Sequence, residues 1–362
     1  MEACFSPNVS LFYYYHCTMK KKILITGGCG YIGSHTMVDL LEKGYEVISA
    51  DNFSRGQRYV PDHVFQITGK RPLNIESDLN DLQQTKNIFE AHPDIVGIIH
   101  FAAFKMVGES VELPMMYYHN NLQSLINLLQ CRQQYQIPYF IFSSSSSVYG
   151  NIENLPVSED TPVHEQQSPY GRTKYFGEKI IADAVKAEPF YAMILRYFNP
   201  VGSHPSALLG EPFDEKPFNI IPAITRTAIG KMKEFVVLGN DYPTRDGSCI
   251  RDYIHVMDVA EAHTFSLKHL MEKKERKDPD FLDIINLGTG NGVSVLEMIH
   301  AFEKATGVKL NYRIGPRRAG DAIAVYSSNK RAEEMLHWKP ERSLEEMMRS
   351  AWEWEKAMNA KS

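Results

Sequence analysis

From Lys22 onward, short unbroken apolar runs alternate with stretches of helical periodicity. Ile23-Leu24-Ile25 is followed by an amphipathic segment from Ile32 to Glu42 and then by Glu46-Val47-Ile48-Ser49-Ala50. The apolar theme returns in Ile95-Val96-Gly97-Ile98-Ile99-His100-Phe101, Tyr139-Phe140-Ile141-Phe142 and Ala192-Met193-Ile194-Leu195. A strand with one wet face alternates apolar and polar residues, whereas a continuous apolar run needs cover on both faces. The pattern therefore predicts a parallel sheet between two helical layers, a doubly wound α/β domain.

After Asn199 the pattern changes. Connections become rich in proline and glycine, as in Pro200-Val201-Gly202 and Gly210-Glu211-Pro212, and the elements shorten. A strand at Phe235-Val236-Val237-Leu238 and helices near Val256 to Leu270 and Val293 to Thr306 are predicted, with the charged run from Glu272 to Asp278 as a solvated helix end or loop. The division expected is a first domain over 19–198, with part of 253–283 returning to it, and a smaller α/β domain from 199–252 and 284–362.

Composition removes several classes of function. At 362 residues and 43% hydrophobic the chain can bury a substantial core, while a formal charge of −5 offers no basic field for nucleic acid. Phosphate recognition must be local. Five scattered cysteines (Cys4, Cys17, Cys29, Cys131, Cys249) lack metal-ligand spacing, so a reducing, cytoplasmic setting with no disulfide and no metal is expected. Residues 1–18 are aromatic-rich, carry Glu2 where a secretory leader needs a cation, and precede Met19 and three lysines. They read as an extension outside the fold, with Met19 as the functional start. No other apolar run is long enough for a membrane span, and no membrane partner is expected.

The chemistry begins at Thr26-Gly27-Gly28-Cys29-Gly30-Tyr31-Ile32-Gly33, directly after the first strand and opening the first helix. Glycines let backbone approach a pyrophosphate, and the helix start presents unpaired N–H groups to it. A tight turn alone would also use glycine; the position after the first strand is what points to a Rossmann-like dinucleotide site. Asp51, ending the second strand, suits a ribose diol and would repel a 2′-phosphate, which favours NAD over NADP. Asp78 suits a turn as well as it suits the adenine side. Farther on, Tyr170 and Lys174 lie four apart after Ser168-Pro169, on one face of a helix that Pro169 helps to start, with Ser143 to Ser147 upstream. A free phenol titrates near about 10, so a nearby ammonium is the expected means of making Tyr170 a base.

With the glycine loop, Ser145, the Tyr170-x-x-x-Lys174 pair and Arg196-Tyr197-Phe198-Asn199-Pro200-Val201-Gly202 in order, the chain resembles the extended short-chain dehydrogenase/reductases. Within them it is most similar to the UDP-glucose 4-epimerases. The similarity runs from Lys21 to near Trp354 and includes His100-Phe101-Ala102-Ala103-Phe104-Lys105-x-Val107-Gly108-Glu109-Ser110, Gly239-Asn240-Asp241-Tyr242-Pro243-Thr244 and Arg251-Asp252-Tyr253-Ile254-His255-Val256-Met257-Asp258. The resemblance implies a catalytic set of Ser145, Tyr170 and Lys174 and reversible oxidation at carbon 4 of a UDP-sugar. It implies NAD contacts at Gly27, Gly30, Tyr31, Ile32, Gly33, Asp51, Asn52, Asp78, Leu79, Phe101, Ala102, Lys105, Asn120 and Phe198, besides Tyr170 and Lys174. For the UDP-sugar it implies Ser145, Tyr170, Asn199, Asn219, Leu238, Arg251, Arg318 and Asp321, the two arginines clamping the diphosphate. It further implies a homodimer built from helices of the first domain, including Glu112 to Gln134 and the helix of Tyr170.

The same resemblance aligns Val325 with the wall of the sugar pocket near carbon 2. Members confined to UDP-glucose and UDP-galactose tend to carry tyrosine there, so valine implies room for an N-acetyl group and turnover of UDP-GlcNAc and UDP-GalNAc; the competing reading is that valine only packs. A nucleotide-sugar dehydratase would need an acidic pair where this chain has Ser146 and Ser147. Epimerases of UDP-glucuronate or a UDP-pentose, and a non-catalytic NAD-binding sensor, are the other readings; the sensor would usually have lost the Tyr/Lys pair.

Overall fold

The structure is a computed structural model describing residues 21–150, 152, 154–212, 219–318 and 322–360; the proposed extension and Asp321 lie outside the described residues. The first half reads β1 (Lys22–Thr26), α1 (Tyr31–Glu42), β2 (Glu46–Asp51), α2 (Val60–Thr68), β3 (Leu73–Glu76), α3 (Leu82–Ala91), β4 (Ile95–His100), α4 (Val107–Glu112), α5 (Pro114–Gln134), β5 (Tyr139–Ser145), α6 (Pro169–Ala187) and β6 (Tyr191–Tyr197). A single turn of tighter helix, Ser146–Tyr149, follows β5. The second half adds β7 (Asn199–Val201), α7 (Ile220–Ala228), β8 (Phe235–Leu238), β9 (Ile250–His255), α8 (Val256–Arg276), β10 (Leu282–Leu287), β11 (Gly292–Ser294), α9 (Val295–Thr306), β12 (Tyr312–Gly315), β13 (Ala324–Val325), α10 (Lys330–Leu336) and α11 (Leu344–Asn359).

Seven parallel strands form the main sheet in the order β10-β6-β5-β4-β1-β2-β3. Neighbouring residues of each strand face opposite layers. Ile23, Ile25, Ile99 and Ile141 pack with Met37 and Leu40 of α1 and Val259 and Leu267 of α8, whereas Leu24, Ile98 and Phe140 pack with Phe89, Leu128 and Ile181 of α3, α5 and α6. This is why the strands are apolar without alternation. Chain order reverses between β1 and β4, and in open parallel sheets the crevice beyond the carboxyl ends of such strands is where ligands sit.

The second lobe has its own core, in which Ile221, Phe235, Val237, Tyr253, Met298, Phe302 and Met348 meet. Its strands β7, β11 and β13 all pair with β9, and β8 pairs with β12. The chain then returns to the first lobe through α8 and β10. Because β10 continues to Leu287 as the edge strand of the main sheet, the boundary drawn at 283/284 falls inside a strand. The helix read from Val293 starts at Val295, since Ser294 and Glu297 close a reciprocal capping box there and Gly292–Ser294 pairs with β9.

Several histidines are buried in these layers. Burial holds His35 and His263 down to about 4 and His255 down to about 3. His255 caps α8: its Nδ1 accepts from the Met257 N–H at 3.1 Å while Nε2 pairs with Ser350 Oγ at 3.1 Å. A histidine with a depressed folded pKa takes its proton in the unfolded chain first, so stability is full above about 6.5 and is lost as pH falls toward the folded value. Urea unfolding should therefore lose free energy steadily between pH 6.5 and 4. In His255→Asn, which keeps a capping acceptor but does not titrate, that slope should shrink by up to one proton, about 1.4 kcal/mol per pH unit.

Candidate active site

At the carboxyl end of β1 the chain turns through Gly27, whose φ is +68°, in the left-handed region where a side chain is strained. A Cβ on Gly27 would lie 2.8 Å from the Ala102 nitrogen at the end of β4, and one on Gly33 would lie 2.3 Å from the Gly27 carbonyl oxygen. These contacts pack the turn backbone to backbone against the end of β4 and the start of α1. Gly30 caps α1 without a side-chain partner, leaving the first N–H groups of the helix directed toward the same space.

Asp51 closes the cradle from β2. Its Oδ2 accepts from the Cys29 N–H at 3.0 Å and its Oδ1 from the Phe53 N–H at 2.9 Å, while burial pushes its carboxyl upward. Asn52 is exposed and accepts from the Ser54 N–H at 3.0 Å. Asp78 stabilises its own turn by accepting from the Asn80 backbone and side chain, each at 3.0 Å. Leu79 is buried, and its carbonyl accepts from Asn127 at 2.8 Å; Asn120 accepts from Asn80 at 3.2 Å. Tyr31 is buried and donates to the Gly202 carbonyl at 2.5 Å, tying the cradle to the second lobe. Ile32 and Phe101 pack against the core on the α1 side, and Lys105 lies exposed with its ammonium 5.7 Å from the Tyr31 ring centre.

Ser145 ends β5, and its Oγ accepts from the Ser147 N–H at 3.2 Å. Tyr170 comes from the first turn of α6, which Ser168 caps by accepting from the Gly171 N–H at 3.1 Å. The phenol is raised above its ordinary value by burial, and hydrogen bonding with Ser145 opposes that rise. Lys174 is buried one turn later, with its ammonium 6.0 Å from the Tyr170 ring centre and donating to the Ser143 carbonyl at 2.7 Å. Burial brings Lys174 down to about 7, and the Glu178 charge resists the fall. The short contact of the Lys174 ammonium goes to a strand carbonyl rather than to the phenol.

The second lobe supplies the remaining positions. Asn199 donates to the Asp252 carbonyl at 2.7 Å, and Arg251 donates to the Ala322 carbonyl at 2.9 Å. Val325 stands beside Arg251 in the β13–β9 register and packs toward a small apolar cluster of Val148, Tyr149, Val157 and Phe198. Asn219 lies at the start of α7, while Leu238 and Arg318 are exposed.

Sequence reasoning missed what lies behind Ser145 and Lys174. Glu178 and Arg196, each 4% exposed, form a bidentate ion pair at 2.9 and 2.6 Å. Ser144 donates to Glu178 at 2.5 Å, Arg196 donates to Tyr149 at 2.9 Å, and Tyr149 donates to Asn286 on β10 at 2.7 Å. The available signal was spacing, because Glu178 stands four residues after Lys174 as Lys174 stands four after Tyr170. Asp252, fully buried, was also missed as a structural anchor: it accepts from Thr289, Gly290 and Ser327 and so joins the loop after β10 to the strand that carries Arg251.

A Tyr-x-x-x-Lys helix laid beside a strand-end serine, on the carboxyl edge of a dinucleotide-type sheet, defines the class as an extended short-chain dehydrogenase/reductase. Comparison with known proteins narrows it. Residues 24–351 match the family model described as GDP-mannose 4,6 dehydratase. The chain is 43% identical over 334 residues to a UDP-glucose 4-epimerase of Bacillus subtilis (strain 168), covering 92% of this chain and 96% of the relative. Among solved structures it superposes on a UDP-glucose 4-epimerase from Stenotrophomonas maltophila, crystallised with NAD and formylated UDP-arabinopyranose, with a TM-score of 0.90 at 40% identity over 94% of this chain and 100% of that one. A UDP-Glc/GlcNAc 4-epimerase from Campylobacter jejuni gives a TM-score of 0.80 at 37% identity over 93% and 99%. The chain belongs to the UDP-glucose 4-epimerase family.

Glu178→Ala should cost about 3–5 kcal/mol in chemical denaturation, because it strands Arg196 as a buried unpaired charge. Replacing both partners with apolar residues, as in Glu178→Leu with Arg196→Met, should recover most of that loss.

Proposed function

We propose that this protein interconverts UDP-glucose and UDP-galactose through a 4-keto sugar, using bound NAD. The observation that carries the reading is the convergence of Ser145, Tyr170 and Lys174 at the carboxyl edge of β5, on the chain's family background. The glycine turn fits the cofactor, because a Cβ at Gly27 would strike the Ala102 backbone and one at Gly33 the Gly27 carbonyl, so the turn closes on bare backbone, and Gly30 opens α1 with no side-chain cap over its first N–H groups. When bound, NAD supplies the hydride acceptor and donor for carbon 4.

The chain's own groups do the rest. Tyr170 takes the proton from the 4-hydroxyl and later returns it, and Ser145 hydrogen-bonds the same oxygen. Lys174 would hold the cofactor ribose, and its ammonium would favour the phenolate electrostatically. Asp51, Tyr31, Ile32, Asn52, Asp78, Leu79, Phe101, Ala102, Lys105, Asn120 and Phe198 hold the cofactor. Arg251 and Arg318 take the sugar-nucleotide diphosphate, with Asn199, Asn219, Leu238 and Asp321 around the nucleotide and sugar. The first lobe, 19–198 with the segment that returns through the end of β10, is the NAD-binding unit, and 199–252 with the chain after β10 is the sugar-nucleotide unit. Elimination is disfavoured because Ser146 and Ser147 offer no carboxyl beside Ser145.

Exposed apolar side chains support a homodimer. Val111, Met115 and Phe176, at 61%, 70% and 42% exposure, lie on α4, α5 and α6, and Phe176 stacks on Tyr118. A helical face of this kind is costly to leave in water and suits pairing with its copy. Among the described residues no helix is long and apolar enough to cross a membrane. We assign the protein to the cytoplasm on its scattered cysteines, which suit a reducing setting.

Purified protein given UDP-glucose with no added cofactor should yield UDP-galactose by chromatography or NMR, and Tyr170→Phe should lose at least about a hundredfold in kcat while keeping its NAD. An unchanged rate in that variant removes the tyrosine from its role. Val325 further suggests acceptance of UDP-GlcNAc. Val325→Tyr should then lower kcat/KM for UDP-GlcNAc about tenfold or more and leave UDP-glucose within about threefold, as expected when one side chain fills a pocket. Absence of UDP-GalNAc from the wild-type reaction would end this part of the reading.

A further inference from the structure

Glu211 belongs to neither the catalytic set nor the expected ligand contacts, yet it is placed between them. Its Oε1 receives the Lys105 ammonium at 3.1 Å from the first lobe and the Asn219 side-chain amide at 2.5 Å from the start of α7. The backbone that carries it is fixed: the Trp354 indole donates to the Glu211 carbonyl at 2.9 Å, and a Cβ on Gly210 would lie 2.5 Å from the Trp354 ring. The same connection begins at Gly202, which accepts from Tyr31 of the glycine turn.

The pair with Lys105 is not an ordinary surface contact. The Glu211 side chain is 14% exposed against 55% for Lys105, so the anion is anchored and the cation reaches to it. A surface pair of two mobile side chains would have neither partner fixed. Both donors retain capacity after this bond, since an ammonium has three N–H groups and an amide two. Both are also groups suited to anionic oxygens.

We propose that Glu211 is a positioning residue that couples the NAD site to the UDP-sugar site by holding Lys105 and Asn219 on one carboxylate oxygen. The proposal rests on the epimerase reading, in which Lys105 serves the cofactor and Asn219 the sugar nucleotide. When the sugar nucleotide engages Asn219, the shared oxygen is left more fully to Lys105, which is then held more firmly in place while its remaining N–H groups serve the cofactor, so occupancy of one site strengthens binding at the other. Such coupling is reciprocal and does not require a change of fold.

The test uses the holoenzyme as purified, with UDP as the probe. NAD release after dilution is followed with and without saturating UDP, and kcat and KM for UDP-glucose are measured in parallel. In the wild type, UDP should slow release about fivefold or more. In Glu211→Ala that ratio should fall to within about twofold, KM should rise several-fold, and kcat should stay within about threefold. Glu211→Gln keeps an acceptor oxygen and should fall between. A merely structural role would lower the thermal midpoint and leave the UDP ratio intact. The proposal is overturned if UDP slows NAD release equally in wild type and Glu211→Ala, or if the wild type shows no effect of UDP. A wild type that carries no NAD or converts no UDP-glucose instead overturns the epimerase reading, and this proposal with it.

Discussion

Two opposite charges, Glu178 and Arg196, buried behind Ser145 and Lys174, set the frame for the candidate site. They join helix α6 to strand β6, and through Ser144 and Tyr149 they also fix the end of β5 and reach β10. Neither charge can stay in that interior without the other. A helix that presents Tyr170 and Lys174 is therefore locked in rotation and depth against the strand that presents Ser145. Hydrogen bonding at about 3 Å tolerates little error, so this locking decides whether three separated residues form one site.

Desolvation has the opposite signs on the two members of the Tyr/Lys pair and makes each easier to keep neutral. The phenol rises and the ammonium falls. Family members have been crystallised with NAD in this fold.

The division of labour between lobes follows from topology. The main sheet provides rigid strand ends, and the second lobe hangs its loops over them from β7, β9 and β13. Asp252 concentrates five donor groups on one buried carboxylate and so fixes the loops around Arg251. The return through α8 and β10 ties both lobes into the same hydrophobic layers, and the crevice is held from two sides.

Local pattern determined the sheet class, the position of the glycine turn and the helix carrying Tyr170 and Lys174, because strand burial, backbone approach to phosphate and i, i+4 spacing are properties of neighbouring residues. Motif resemblance carried the family. What the chain could not state in one dimension was how far β10 runs, that Lys174 leans on Ser143, that Glu178 finds Arg196, and that Glu211 joins Lys105 to Asn219. Each of these depends on groups distant in sequence whose approach is set by packing. The balance of burial against charge that fixes the protonation of Tyr170 and Lys174 is likewise a three-dimensional quantity. The sequence by itself therefore determined which chemistry the protein carries, and only the tertiary structure decided how its charges are held and which residues share them.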